Sequence, residues 1–155
     1  MGAVYFYHLT REPLEVALPQ LLSRAMGAGW RVAVRGTDEA RLDWLDERLW
    51  LGAEDQFLPH GRAGGPHDAR QPVLLTTASD APNEAACVMA VDGAVVDASE
   101  VARLERVCLL FDGHDEAAVA AARGQWKALT EAGCAAQYWS QEGGRWEKKA
   151  EAGGG

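Results

Sequence analysis

Arg123, Trp126 and Lys127 carry the sharpest chemical pattern in the chain. On a helix, Arg123 and Lys127 stand at i and i+4 and share a face, and Trp126 borders it. Two cations beside an aromatic ring suit an acidic, aromatic peptide: the cations pair with carboxylates and the ring supplies apolar area. The same spacing also describes an amphipathic helix with Trp126 in the core and its cations in water. Trp50, with Phe57, Leu58 and Pro59 after it, poses a similar choice between core and docking edge, since aromatics at a surface edge are enriched in interface centres. His8, His60, His67 and Asp68 are types that ligate zinc or move protons. The spacing of His60 and His67 matches no usual ligand pair, and no nucleophile is visibly paired with His8. No catalytic residue and no metal ligand is therefore assigned. After the first apolar run stands His8-Leu9-Thr10-Arg11 where a dinucleotide fold needs G-x-G-x-x-G, and neither a Walker A sequence nor G-x-S-x-G occurs. No cofactor is expected.

The elements that must hold these residues follow from periodicity. Residues 3–9 (AVYFYHL) read as a first strand. Residues 14–28 place Leu14, Leu18, Leu21, Leu22 and Ala25 on a helical stripe closed by Gly27 and Gly29, with Pro19 expected in the first turn of the main helix or at a kink. Residues 30–34 (WRVAV) read as a second strand. Thr37 is the expected N-cap of a helix running to about Trp50, with Leu42, Leu45, Leu49 and Trp44 inward and Asp43, Asp46, Glu47 and Arg48 in water. Residues 61–71 (GRAGGPHDARQ) lack an apolar period and are expected to be mobile.

Residues 72–77 and 86–91 read as buried strands separated by a turn around Asp80-Ala81-Pro82-Asn83. Asp97 and Glu100 form a capping box for a short helix through Leu104. Residues 106–111 (RVCLLF) make a continuous apolar strand, and Asp115 caps an alanine-rich helix to about Ala132, ended by Gly133. Residues 134–140 (CAAQYWS) make a final strand, and residues 145–149 (RWEKK) a basic, aromatic tail segment. Strands alternating with helices, several of them apolar on both faces, predict an α/β fold: Rossmann-like, three-layer αβα, with a mostly parallel or mixed central sheet and no nucleotide-binding fingerprint. One domain is expected over residues 1–150, with a flexible tail at 151–155.

At 155 residues the chain is long enough to bury a core without staples. Its net charge of −8 opposes any role in coating nucleic acid, so association with DNA would be indirect. No apolar run reaches the ~20 residues of a membrane span, and MGAVYFYHLTRE lacks the form of a signal peptide, so a cytoplasmic protein without membrane contact is expected. Cys87, Cys108 and Cys134 read as free, buried thiols.

Phe6-Tyr7-His8-Leu9, Leu45-Asp46-Glu47-Arg48-Leu49-Trp50 with Phe57-Leu58-Pro59-His60, Pro72-Val73-Leu74-Leu75, Ala122-Arg123 with Gln125-Trp126-Lys127, and Tyr138-Trp139 with Gly144-Arg145-Trp146 occur in order at characteristic separations. In these the chain resembles the chi subunit of bacterial DNA polymerase III, the clamp-loader accessory protein. The resemblance implies a Rossmann-like fold without nucleotide. It also implies a non-catalytic bridge within a complex that has DNA-directed DNA polymerase activity. One surface would bind the acidic C-terminal tail of single-stranded DNA-binding protein (SSB), and another the psi subunit or a different replication or repair protein. Arg123, Trp126 and Lys127 match the tail-binding positions, and Trp50, Phe57, Leu58 and Pro59 the psi-facing ones. Val119 stands where the best-known members carry a further basic residue one turn earlier, which implies a weaker or redistributed tail site, helped by Arg145, Lys148 or Lys149. A small Rossmann-like enzyme using His8 or His60, and an interaction module with unrelated partners, are the competing readings.

Overall fold

The apolar runs form strands whose side chains alternate between two helical layers. The computed structural model describes residues 2–50, 60–63, 71–77, 83–141 and 145–153, without the side chain of Trp50. In chain order they give β1 (Ala3–Leu9), α1 (Leu14–Gly27), β2 (Val32–Arg35), α2 (Glu39–Trp50), β3 (His60–Arg62), β4 (Val73–Thr76), β5 (Cys87–Ala90), α3 (Ala98–Arg103), β6 (Arg106–Asp112), α4 (Glu116–Glu131), β7 (Ala135–Ser140) and β8 (Glu147–Ala152). The strands make one eight-stranded sheet in the order β3-β4-β2-β5-β6-β1-β7-β8. Every pairing is parallel except that of β7 with β8.

Helices α1 and α2 cover one face and α3 and α4 the other, which makes the expected three-layer α/β architecture. In β1, Val4 and Phe6 enter the core under α3 and α4, while Tyr7 and Leu9 enter the core under α1 and α2. Leu42, Leu45 and Leu49 are buried on α2 as their spacing predicts.

Several local features differ from the sequence reading. Asp38, one residue after Thr37, caps α2: its Oδ1 accepts from the amide of Ala40, whereas the Thr37 hydroxyl donates to the carbonyl of Asp92. Pro19 lies inside α1, where it removes the amide that would reach back one turn. The helix runs through it because Leu18, Leu21 and Leu22 on the same stretch are buried. The segment expected to be mobile from residue 61 begins inside β3. There Arg62 bridges to α2, its guanidinium meeting Glu39 and Asp43 and donating to the carbonyl of Leu75. Glu151 and Ala152, expected in the tail, belong to β8, which pairs with β7 and takes in most of the basic segment. Trp44 is half-buried with Arg41 and Arg48 stacked on its ring, 4.4 and 5.1 Å from its centroid, and Asp46 is half-buried against His60 rather than in water.

The capping box read at Asp97 and Glu100 is present, and its Glu has a second task. Glu100 takes both terminal nitrogens of Arg35 at 3.0 and 2.5 Å, with both side chains buried, so one carboxylate joins the end of β2 to the start of α3. Removing one member of such a pair leaves a buried charge without compensation. Glu100→Ala is expected to lower unfolding stability by about 3–5 kcal/mol, while Arg35→Met with Glu100→Leu recovers most of it. Urea unfolding checks this; a loss under about 1 kcal/mol in the single variant would place the pair among weak surface bridges.

Candidate functional site

Asp115 starts α4 by accepting the amides of Ala117 and Ala118 on its Oδ1, at 3.0 and 3.2 Å. Beyond that cap, alanines and Leu129 let the helix lie close to the sheet, with Ala122 and Leu129 buried. Trp126 is half-buried and edge-on to Phe6 of β1 (5.3 Å between centroids, 71°) and to Tyr138 of β7 (5.9 Å, 80°). Tyr138 in turn meets the Nδ1 of His8 at 2.7 Å. Arg123 and Lys127 are exposed one turn apart, and among the described residues no carboxylate pairs with either. Val119 is half-buried against the same core, one turn before Arg123. The structure thus brings Arg123, Trp126 and Lys127 to one flank of α4, with the ring of Trp126 turned inward and the two cations outward.

The second candidate edge is described only in part. Helix α2 delivers the backbone of Trp50 to its C-terminal end, while Phe57, Leu58 and Pro59 lie outside the described residues, as do His67 and Asp68. Along the same helix, Glu39 is held below the usual carboxylate range by a hydrogen bond from the Thr77 hydroxyl and then by Arg62.

Two of the histidines that sequence chemistry singled out, His8 and His60, have protein partners. His60 is buried beneath α2 with its Nε2 3.2 Å from the backbone oxygen of Asp46, and His8 is tied to Tyr138. No cluster of three or more His, Cys, Asp or Glu able to hold a metal occurs among the described residues. Cys87 and Cys108 are buried free thiols, and the hydrogen bond between them together with burial pushes the Cys108 thiol up; Cys134 is only half-buried. No helix among the described residues is long and apolar enough to cross a membrane.

In a doubly wound sheet a ligand crevice forms beyond the carboxyl ends of strands whose following helices leave in opposite directions. Here β1 and β6 are such neighbours, and a cavity of about 570 Å³ lies between the starts of α1 and α4. Its chemistry opposes a nucleotide. Glu12, Glu15, Asp92, Asp112 and Asp115 line it, and the amides that would meet a phosphate at the start of α4 are taken by Asp115, as that of His114 is by Asp112.

The model of the family described as DNA polymerase III chi subunit, HolC, matches residues 1–137. The chain belongs to this family. A probable DNA polymerase III subunit chi from Rickettsia prowazekii (strain Madrid E) is 25% identical over 101 residues, covering 65% of this chain and 58% of that relative. The match thus spans less than two thirds of the relative's length. The flank of α4 with Arg123, Trp126 and Lys127 lies within the stretch matched by the chi-family model, whereas Trp139, Trp146 and β8 lie beyond it.

Sequence reasoning passed over Arg24, Trp30 and Arg106, which meet Trp139 and Trp146 around a second cavity on the other face of the sheet. The alternation in β1 that puts Tyr5 and Tyr7 on one face was the available signal; the strand order needed to bring Arg106 beside them was not. On α4 itself, the packed ring and the exposed cations differ in what they contribute to stability. Trp126→Ala is expected to cost about 3 kcal/mol or more of stability, as truncation of a packed Trp does. Arg123→Ala and Lys127→Ala are expected to stay within about 0.5 kcal/mol of the parent. Denaturant midpoints measure both, and a Trp126→Ala variant as stable as the parent would mean that its ring does not anchor the helix.

Proposed function

We propose that this chain is a non-catalytic adaptor in DNA replication, an accessory subunit of DNA polymerase III that grips the acidic C-terminal tail of single-stranded DNA-binding protein. Arg123 and Lys127 hold carboxylates of the tail, and Trp126 meets its terminal Phe along the edge that packing leaves open. The observation that carries this reading is the pair of exposed cations at i and i+4 on α4, without acidic partners among the described residues, beside a half-buried ring. Family membership supports the replication setting. The net charge of −8 fits an adaptor that reads a peptide through one local cationic patch and reaches DNA only through its partner.

The same proposal gives the adaptor a second surface. Trp50, Phe57, Leu58 and Pro59 dock the psi subunit, or another replication or repair protein where psi is absent, and so link the tail-bound protein to the clamp loader. An aromatic edge of this composition suits the centre of a protein interface. No step of this role requires chemistry at His8 or His60, whose partners lie within the fold.

Calorimetry with the SSB tail peptide tests the first site. Arg123→Ala and Lys127→Ala are each expected to weaken binding about tenfold, the worth of roughly 1.4 kcal/mol. Affinity should fall with added salt because the pair lies in solvent. Val119→Lys, which adds a cation one turn earlier on the same flank, is expected to strengthen it. Unchanged affinity in both alanine variants would remove the tail from α4.

A further inference from the structure

On the α1 side of the sheet, between α1 and the β7–β8 edge, lies a groove of about 290 Å³. Tyr5, Tyr7, Trp30, Trp139 and Trp146 border it, and Met89 and Cys108 contribute to its lining. Trp146 stands edge-on to Tyr7, 5.0 Å between centroids at 79°, and Tyr5 is tilted against Trp139 at 6.5 Å. The rings therefore hold one another in place. All of these side chains pack on the core opposite to the one that seats Trp126, so the groove and the α4 flank lie on different faces of the sheet.

The groove's polar groups have one sign. The guanidinium of Arg106 lies 3.8 Å from the ring centroid of Tyr5 and 5.4 Å from that of Trp30. Its Nε is buried and has no hydrogen-bond partner among the described residues. Arg24, in the last turn of α1, supplies a second cation, and among the described residues no Asp or Glu lines the groove. Stacking on the rings covers the face of the Arg106 guanidinium, and its terminal nitrogens, which have no acceptor among the described residues, are the donors that an occupant of the groove can reach, whereas the buried Nε is not. A carboxylate offers two oxygens in the geometry of a guanidinium fork. The aromatic walls beside it accept a large apolar side chain, and the combination of Trp, Tyr and Arg is the one enriched where peptides and proteins bind tightly. A polyanion such as nucleic acid meets the opposite balance, since the chain as a whole carries −8.

We propose that this groove is a second peptide-docking site, which takes an acidic segment of a partner in which a carboxylate stands beside a large apolar side chain, with Arg106 and Arg24 holding the carboxylate. It is separate from the tail site on α4, and both can be filled at once. Trp139 and Trp146, which form two of its walls, lie beyond the stretch matched by the family model.

Indole N–H resonances of the full chain, labelled with nitrogen-15, test it. The background carries Arg123→Ala and Lys127→Ala, so that the flank of α4 does not contribute. The probes are acetyl-Ser-Glu-Phe-Ser-amide and its Gln counterpart. The Glu peptide is expected to shift the indoles of Trp30, Trp139 and Trp146, and the Gln peptide to bind about tenfold more weakly, as loss of a charge-assisted pair implies. Arg106→Gln removes the difference between the two peptides. Should that variant fail to fold, Arg24→Gln on the exposed side of α1 is expected to narrow the difference instead. Groove indoles that do not move, or that move equally with both peptides, overturn the proposal. A short oligothymidine that shifts the same indoles more tightly than the Glu peptide overturns it in favour of a nucleic-acid groove.

Discussion

Trp126 meets Phe6 and Tyr138 edge-on, and this packing sets the rotation of α4 about its axis. A helix rich in alanine has few other large contacts to fix its turn, since small side chains interlock little; the buried Leu129, and Gln125 bonded to the backbone of Ala94 and Val96, complete the set. With the ring anchored between β1 and β7, the positions one turn apart at Arg123 and Lys127 are left facing water. The electrostatics of that flank thus depend on an apolar contact. Aromatic pairs of this kind contribute roughly 0.5–1.5 kcal/mol beyond the area they bury.

The two faces of the sheet are put to different uses. Beneath α3 and α4 the core is continuous from Val4 to Leu129, and the cations of α4 are carried on its outside. On the α1 side, aromatic rings and Arg106 replace aliphatic packing between α1 and the β7–β8 edge, leaving a groove bordered by the cations Arg24 and Arg106. The crevice at the switch point, where a related architecture would hold a nucleotide, is instead lined by several carboxylates, one of which, Asp115, caps α4. The cations of α4 and those of the α1-side groove thus stand on the flanks of the sheet and away from this crevice.

Most of the fold was legible because burial imposes its period on the sequence. The runs AVYFYHL and RVCLLF are apolar on both faces because each strand lies between two helical layers, and the D-A-S-E start of α3 spells its own capping box. What escaped notice is held by other forces. β3 reads as Gly-rich loop, and its order comes from backbone pairing to β4 and from Arg62 reaching α2. β8 (EKKAEA) is an edge strand, exposed along nearly its whole length, so no apolar alternation marks it; it pairs through its backbone with β7. The Arg35–Glu100 bridge joins residues brought together only by strand order. The same limit applied to the sites. Arg123, Trp126 and Lys127 share a helix and could be read together, whereas Arg106, Trp30 and Trp146 meet only in three dimensions.

The central claim is that the outward cations of α4 recognise carboxylates of an acidic tail, and a charge exchange addresses it most directly. Binding would be measured between the variant Arg123→Glu with Lys127→Glu and a tail peptide whose acidic residues are replaced by Lys, alongside the two mismatched combinations. The expected result is that each mismatched combination loses binding and the doubly exchanged pair regains it. If the reversed variant still holds the acidic peptide, or if the exchanged pair shows no recovery while the variant is folded, the flank of α4 is not where the tail is read.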